Sequence, residues 1–228
     1  MTVDRDISSL KVEALPHQVV LYTTYYRSQS DERQAELNFC LEKNMLCSGI
    51  ERVVVICEGG IKPAAESPHC LLMHRKQRQT YRDIFNIADV VNPDGINIFI
   101  NSDIFLTSET IEEIKKRIPP YSKNVLALTR WNWHDGNPEM NQGHDSQDTW
   151  AWFGKMNEKV KADFLFGKPG CDNAIAQRLQ MYYKVLNPSL SVKTYHVHAS
   201  GERVYAMTGP QREAETIQPP YFFPSITE

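Results

Sequence analysis

The sequence lacks the signatures of several large enzyme classes. It holds no G-x-G-x-x-G after an apolar run, no G-x-x-x-x-G-K-[ST], no G-x-S-x-G and no H-E-x-x-H. Dinucleotide dehydrogenases, P-loop enzymes, the common serine hydrolases and zincins therefore lose support. No apolar run approaches the ~20 residues that a membrane-spanning helix needs. The opening MTVDRDISSLKVEAL is polar and has no basic-then-apolar layout of a signal peptide. The five cysteines (Cys40, Cys47, Cys57, Cys70 and Cys171) are odd in number and form no C-x-x-C pair. That excludes a simple disulfide framework, disfavours structural zinc and points to a reducing, cytoplasmic setting. Neither sign of charge dominates: Lys+Arg 25 against Asp+Glu 28 leave -3, so nucleic acid is not an expected partner.

What is present is a chain of 228 residues, 41% hydrophobic, with no internal repeat. VVLYTTYY (19–26) and RVVVICEGG (52–60) read as buried strands, with a helix carrying Leu37, Leu41 and Met45 on one face between them. Residues 61–79 read as loop around a short strand at CLLM. Thr80-x-x-Asp83 reads as a capping arrangement opening a helix that turns Ile84, Ile87 and Ala88 inward. INIFINSDIFL (96–106) reads as the next strand, TSETIEEIKKRI as a short helix stopped by Pro119-Pro120, and NVLALTRW (124–131) as another strand. Residues 132–148 read as a long polar loop suited to binding, followed by a short strand at TWAWFG. PGCDNAIAQRLQMYYKV reads as a turn into a helix with Ile175, Leu179 and Tyr182 on one face, and SVKTYHVHAS (191–200) as a late strand. From Gly209 the Pro-rich, aromatic tail is either a strap over the surface or a linker into a longer multi-domain chain. Strands alternating with helices predict an α/β sandwich with a mostly parallel sheet, whose ligands sit at strand carboxyl ends.

Those strand ends carry the candidate chemistry. Asp103, in Asn101-Ser102-Asp103, is either a cap for the next turn or a ligand for Mg²⁺ or Mn²⁺ bridging a diphosphate, with Asn101 in support. His196 and His198 share one face of their strand, as surface or core residues or with one imidazole as a further ligand favouring Mn²⁺. Asp172, opening a helix, is an N-cap or a rigidly held general base. Glu58 is a surface carboxylate or an acceptor for the N3–H of uracil. Arg82 and Arg203 are solvated or meet phosphate. Trp131, Trp133, Trp150 and Trp152 flank the loop with its Ser146-Gln147-Asp148, as core residues or as platforms for sugar rings.

LYTTYY, ICEGG, FINSDIFL, ALTRW, SQDTWAWF, DFLFGKPGCDNAIA and NPSLSVKTYHVHASGERVY occur in an order that resembles small GT-A-type glycosyltransferases, over roughly residues 17–206. The resemblance is nearest to domains encoded by large chlorella viruses, which would put the protein in host cytoplasm. It implies a single-domain, Rossmann-like α/β/α sandwich over residues 1–208 and a strap or linker over 209–228. It further implies transfer of a sugar from a UDP-sugar, with rhamnose or glucose as candidates, to a hydroxyl of an acceptor glycan with inversion. The family carries D-x-D where this chain has Asn101-Ser102-Asp103, so only the last aspartate matches. By position, Asp103 and His198 would hold Mn²⁺ or Mg²⁺. Thr24, Tyr25, Glu58, Arg82, Asn101, Ser102 and Arg203 would bind the nucleotide. Asp172 would be the base, with Asp148 as its alternate, and Trp131, Gln147 and Trp150 would orient sugar or acceptor. Two other classes stay open: a sugar nucleotidyltransferase, which would need a basic glycine-rich loop near the first strand that is not there, and a non-catalytic carbohydrate-binding module.

Overall fold

The computed structural model describes residues 18–65, 67–143, 145–201 and 208–228. In chain order these form β1 (Val19–Tyr25), α1 (Asp31–Met45), β2 (Arg52–Glu58), β3 (Cys70–Arg75), α2 (Tyr81–Val91), β4 (Ile96–Ile100), β5 (Ile104–Phe105) and α3 (Ser108–Arg117). There follow β6 (Asn124–Leu128), β7 (Trp131–His134), β8 (Asn137–Met140), β9 (Thr149–Phe153), α4 (Cys171–Leu179), β10 (Lys184–Leu186), β11 (Tyr195–His196) and α5 (Gly209–Glu215).

Seven strands make one sheet in the order β10-β6-β9-β4-β1-β2-β3. Every pairing in it is parallel except those of β9, which runs antiparallel between β4 and β6. β1 and β4 are buried along their whole length, as expected for strands covered on both faces. Alternation divides their side chains. Val20, Tyr22 and Phe99 pack with Ile84, Phe85 and Ala88 of α2 and Ile175 of α4. Val19, Leu21, Ile98 and Ile100 pack with Leu41 of α1 and Ile111 and Ile114 of α3. Full burial of each such Ile is worth roughly 1.5–3 kcal/mol. The result is the expected three-layer α/β/α sandwich with a mostly parallel sheet.

Local differences from the sequence expectations have local causes. INIFINSDIFL is not one strand: β4 ends at Ile100, residues 101–103 turn, and β5 pairs in a second sheet of order β5-β11-β7-β8. The run NVLALTRW divides in the same way, β6 in the large sheet and Trp131 opening β7 in the small one. The expected loop 132–148 is partly a hairpin, β7 pairing with β8 around Asp135 and Gly136, both in left-handed conformation. The late strand shrinks to Tyr195–His196, and α4 stops at Leu179, with Tyr182 packing on the core from beyond its end. The capping box at Thr80 and Asp83 is present. After α5, the chain lies along the body: Ile217 N–H donates to the Pro169 carbonyl and Phe222 N–H to that of Asn173. The five cysteines are free. No helix among the described residues is long and apolar enough to cross a membrane.

Candidate active site

The order of the large sheet reverses at β1, with β2 on one side and β4 on the other, and such a switch point opens a crevice at the strand carboxyl ends. Here it is a cavity of about 360 Å³ whose walls include Thr24 and Tyr26 at the end of β1, Asn101, Ser102 and Asp103 after β4, and Asp172 at the head of α4. Because β9 is antiparallel, its leading residue Asp148 reaches the same edge. The Asp148 N–H donates to the Leu128 carbonyl, and Asn101 N–H donates to the Asp148 carbonyl.

Three of the four carboxylates lining the cavity have contrasting surroundings. Asp103 Oδ2 lies 2.5 Å from Arg33 Nη2, 3.2 Å from His196 Nε2 and 3.7 Å from His198 Nδ1. Burial would raise its pKa. The charge of His196, hydrogen bonds from both histidines and the charge of Arg33 outweigh burial and hold the carboxyl well below the usual range. Arg33 also donates to Glu36 at 2.7 Å and to the Val197 carbonyl at 3.2 Å, tying α1 to the histidine segment. Asp148 is clamped on both oxygens: Arg130 Nη1 donates to Oδ2 and Asn101 Nδ2 to Oδ1, each at 2.8 Å. Asp172 is the third. The Tyr81 hydroxyl donates to its Oδ1 at 3.0 Å and the Cys171 thiol to the same oxygen at 3.3 Å. Its pKa is raised to about 7, by burial first and by the charge of Asp148 next, against hydrogen bonds from Cys171 and Tyr81 and the charge of Arg130.

Asp103, His196 and His198 offer ligand atoms within 4.8 Å of one another. One carboxylate and two imidazoles suit a divalent transition ion better than Ca²⁺. His198 Nε2 is buried with no hydrogen-bond partner among the described residues, an orphan that a ligand would satisfy. The residues present therefore fit a divalent metal, and His196 joins the expected pair.

Among the cavity's cations, Arg33, Arg130 and Lys168 each face a carboxylate, Lys168 meeting Glu215 at 3.2 Å. Arg78 faces none within ion-pair distance among the described residues, and its Nε is buried without a hydrogen-bond partner. Its guanidinium rests on the Phe166 ring, 5.9 Å from the centroid, and lies against Gly167, where an added Cβ would come within 2.5 Å of Nη2. An arginine so placed has donors available to an anion.

Of the residues expected from sequence, Thr24, Asn101, Ser102, Asp103, Asp148, Asp172 and His198 line the cavity together. Tyr25 does not, because alternation along β1 turns it to the other face, where its hydroxyl donates to Asn38 at 2.7 Å. Arg82 is committed elsewhere, donating to the carbonyls of Glu158 and Val160. Trp150 is core, packed on Tyr81. Trp131 spends its indole N–H on the Ser189 carbonyl at 2.8 Å and its face on Lys193. Gln147 is fully buried beside Asn173. Glu58 ends β2 outside the lining; burial raises its pKa against the charge of Arg78. Arg203 falls outside the described residues. Asp172 is not the N-cap of α4; Gly170 is, in left-handed conformation at φ 76. Sequence reasoning assigned no role in the site to Tyr26, Arg33, Arg78 or Arg130. The spacing Arg33-x₃-Leu37-x₃-Leu41, which puts an arginine on the apolar stripe of α1, was the signal for the second of these.

No protein-family model matches the sequence, and no curated protein matches it. Solved structures align over most of the chain at low identity. The mannosyltransferase PcManGT from Pyrobaculum calidifontis, in complex with GDP-Man and Mn²⁺, is 12% identical with a TM-score of 0.48, over 85% of this chain and 61% of its own. A 4-diphosphocytidyl-2C-methyl-D-erythritol synthase is 11% identical with a TM-score of 0.47, over 86% of this chain and 95% of its own. GalNAc-T7 with UDP, GalNAc and Mn²⁺ is 8% identical with a TM-score of 0.49, over 86% of this chain and 47% of its own. The chain thus spans less than two thirds of the length of both glycosyltransferases. At these identities the match concerns backbone course and not the site.

Proposed function

We propose that this protein is a metal-dependent GT-A-type glycosyltransferase that moves a sugar from a UDP-sugar, UDP-rhamnose or UDP-glucose, to a hydroxyl of an acceptor glycan with inversion. The observation that carries the reading is one cavity holding two separate devices: the Asp103, His196 and His198 cluster, and the poised carboxylate of Asp172 at the head of α4. Asp103, His196 and His198 would hold Mn²⁺ or Mg²⁺, which when bound supplies positive charge to a departing diphosphate. Arg78 contributes a fixed cation for the same anion. Thr24 and Tyr26 line the nucleotide path. Asp172 takes the proton of the acceptor hydroxyl as that oxygen attacks the anomeric carbon, and a pKa of about 7 matches such work near neutrality. Asp148 is unsuited to the role, since both its oxygens are already occupied.

Calorimetric titration of UDP, with Mn²⁺ and with chelator, tests the reading on wild type and Asp103→Asn. The expected result is binding that needs both the metal and Asp103, followed by transfer when UDP-sugars are screened with hydroxyl acceptors. Metal-independent binding indifferent to Asp103→Asn would sink the metal-assisted mechanism. Absence of UDP binding would favour a carbohydrate-binding module.

A further inference from the structure

Tyr81 is the first residue of α2, and Cys171 the first of α4. The two helices lie on the same face of the sheet, and their N-termini meet at Asp172. The Tyr81 hydroxyl is 3.0 Å from Asp172 Oδ1 and 3.7 Å from Cys171 Sγ, and that sulfur is 3.3 Å from the same Oδ1. The tyrosine is 1% exposed. Its ring is enclosed by Phe85, Phe99, Trp150, Phe164 and Phe166, with centroids 5.5–6.4 Å away. A hydroxyl in such an apolar box must find an acceptor, since leaving it unpaired is unfavourable. Of the two acceptors within reach, a carboxylate is much stronger than a sulfur.

We infer that Tyr81 and Cys171 are positioning residues for Asp172: both donate to Oδ1, fix the plane of the carboxylate and leave Oδ2 as the oxygen that receives the substrate proton. The inference rests on Asp172 being the base. Burial raises the Tyr81 and Cys171 pKa values well above normal, so both keep their protons and remain donors across the working pH range. The charged groups that bear on the carboxylate from neighbouring elements are Asp148, ahead of β9, and Arg130, between β6 and β7. Asp148 opposes its ionisation and Arg130 favours it. The two helix-borne donors set the orientation that these charges cannot.

The test is Tyr81→Phe, which keeps the ring and removes only the hydroxyl. The Asp172 carboxyl is titrated by NMR of ¹³C-labelled aspartate, its signal assigned by its loss in Asp172→Asn. Loss of one donor to an ionised carboxylate should raise the midpoint by about one pH unit. The acidic limb of kcat/KM should move by the same amount while KM for the UDP-sugar holds. Cys171→Ala should move the midpoint in the same direction by less. An unchanged midpoint in a folded Tyr81→Phe protein would overturn the inference. Should Tyr81→Phe not fold, an unmoved midpoint in Cys171→Ala would overturn it instead. A wild type that binds UDP but transfers no sugar would end the proposed function, whereas the titration reads the contact with Asp172 directly, so the two failures are distinguishable.

Discussion

Asp148 and Asp172 lie in one cavity, and hydrogen bonding sets them apart. Asp148 has Arg130 and Asn101 on its two oxygens, whereas the donors to Asp172 among the described residues are neutral and both on one oxygen. The exposed-helix patterns of the sequence do not reveal this difference, because it depends on which helix N-terminus reaches which strand end. The sequence reading put Asp148 in a polar loop and Asp172 at the head of a helix, and the fold brings both to one cavity. A stability consequence follows from the raised pKa. The folded value is about 7 against roughly 4 in the unfolded chain, so the folded state binds this proton more tightly. Stability from this group is fully present below about pH 4 and declines as pH rises toward 7. Asp172→Asn removes the decline. It should match wild type near pH 4, exceed it by up to about 4 kcal/mol at pH 8 in urea unfolding, and lower turnover by about 10²- to 10⁴-fold. A variant less stable than wild type at pH 8 would contradict the assignment.

At the scale of elements, β1 and β2 were legible as unbroken apolar, β-branched runs, α1 and α2 as 3.6-residue apolar patterns, and α3 by the Pro119-Pro120 stop at its end. Such reading failed where a strand changes sheet. Nothing in the apolar residues on either side of Asn101-Ser102-Asp103 marks the passage from β4 to β5, since both flanks are fully buried. The polar triplet itself was the mark. Arg82 was named and Arg78 was not for a similar reason: the turn before α2, not the helix, faces the cavity. The entry to α4 shows how tightly an element that carries Asp172 is fixed. Gly170 stands at φ +76, and a Cβ there would meet Tyr221 Oη at 2.7 Å and the Ile217 carbonyl oxygen at 3.0 Å. Gly170→Ala should therefore destabilise by about 2–4 kcal/mol in thermal unfolding, from left-handed strain plus the clash. Gly59→Ala, at φ +68 with nothing within 4 Å of the added Cβ, isolates the strain alone and should cost about 1–2 kcal/mol. Equal losses at the two sites would mean that the tail yields freely at Gly170.

Over the whole molecule, the tail closes the body around the site's supports. Ile217 N–H and Phe222 N–H donate to carbonyls flanking the start of α4, at Pro169 and Asn173. Further on, Asn187 Nδ2 donates to the Pro224 carbonyl, Thr227 N–H to the Asn187 carbonyl and Leu190 N–H to the Thr227 carbonyl. Asn187 is buried, and its Oδ1 accepts from the Thr129 N–H at the end of β6. The tail is thus joined to the strand ends through one side chain and to the Asp172 helix through two main-chain bonds. Five such bonds at about 0.5–1.5 kcal/mol each amount to roughly 3–7 kcal/mol, and for a chain of this size that corresponds to a fall of about 10–20 °C in Tm. Truncation after Glu215 is expected to produce that fall and to reduce transfer more than UDP affinity, because Asp172 and not the Asp103 cluster lies beside the lost contacts. A truncated protein that loses UDP affinity and turnover in equal measure would show that the tail supports the whole cavity rather than the base alone.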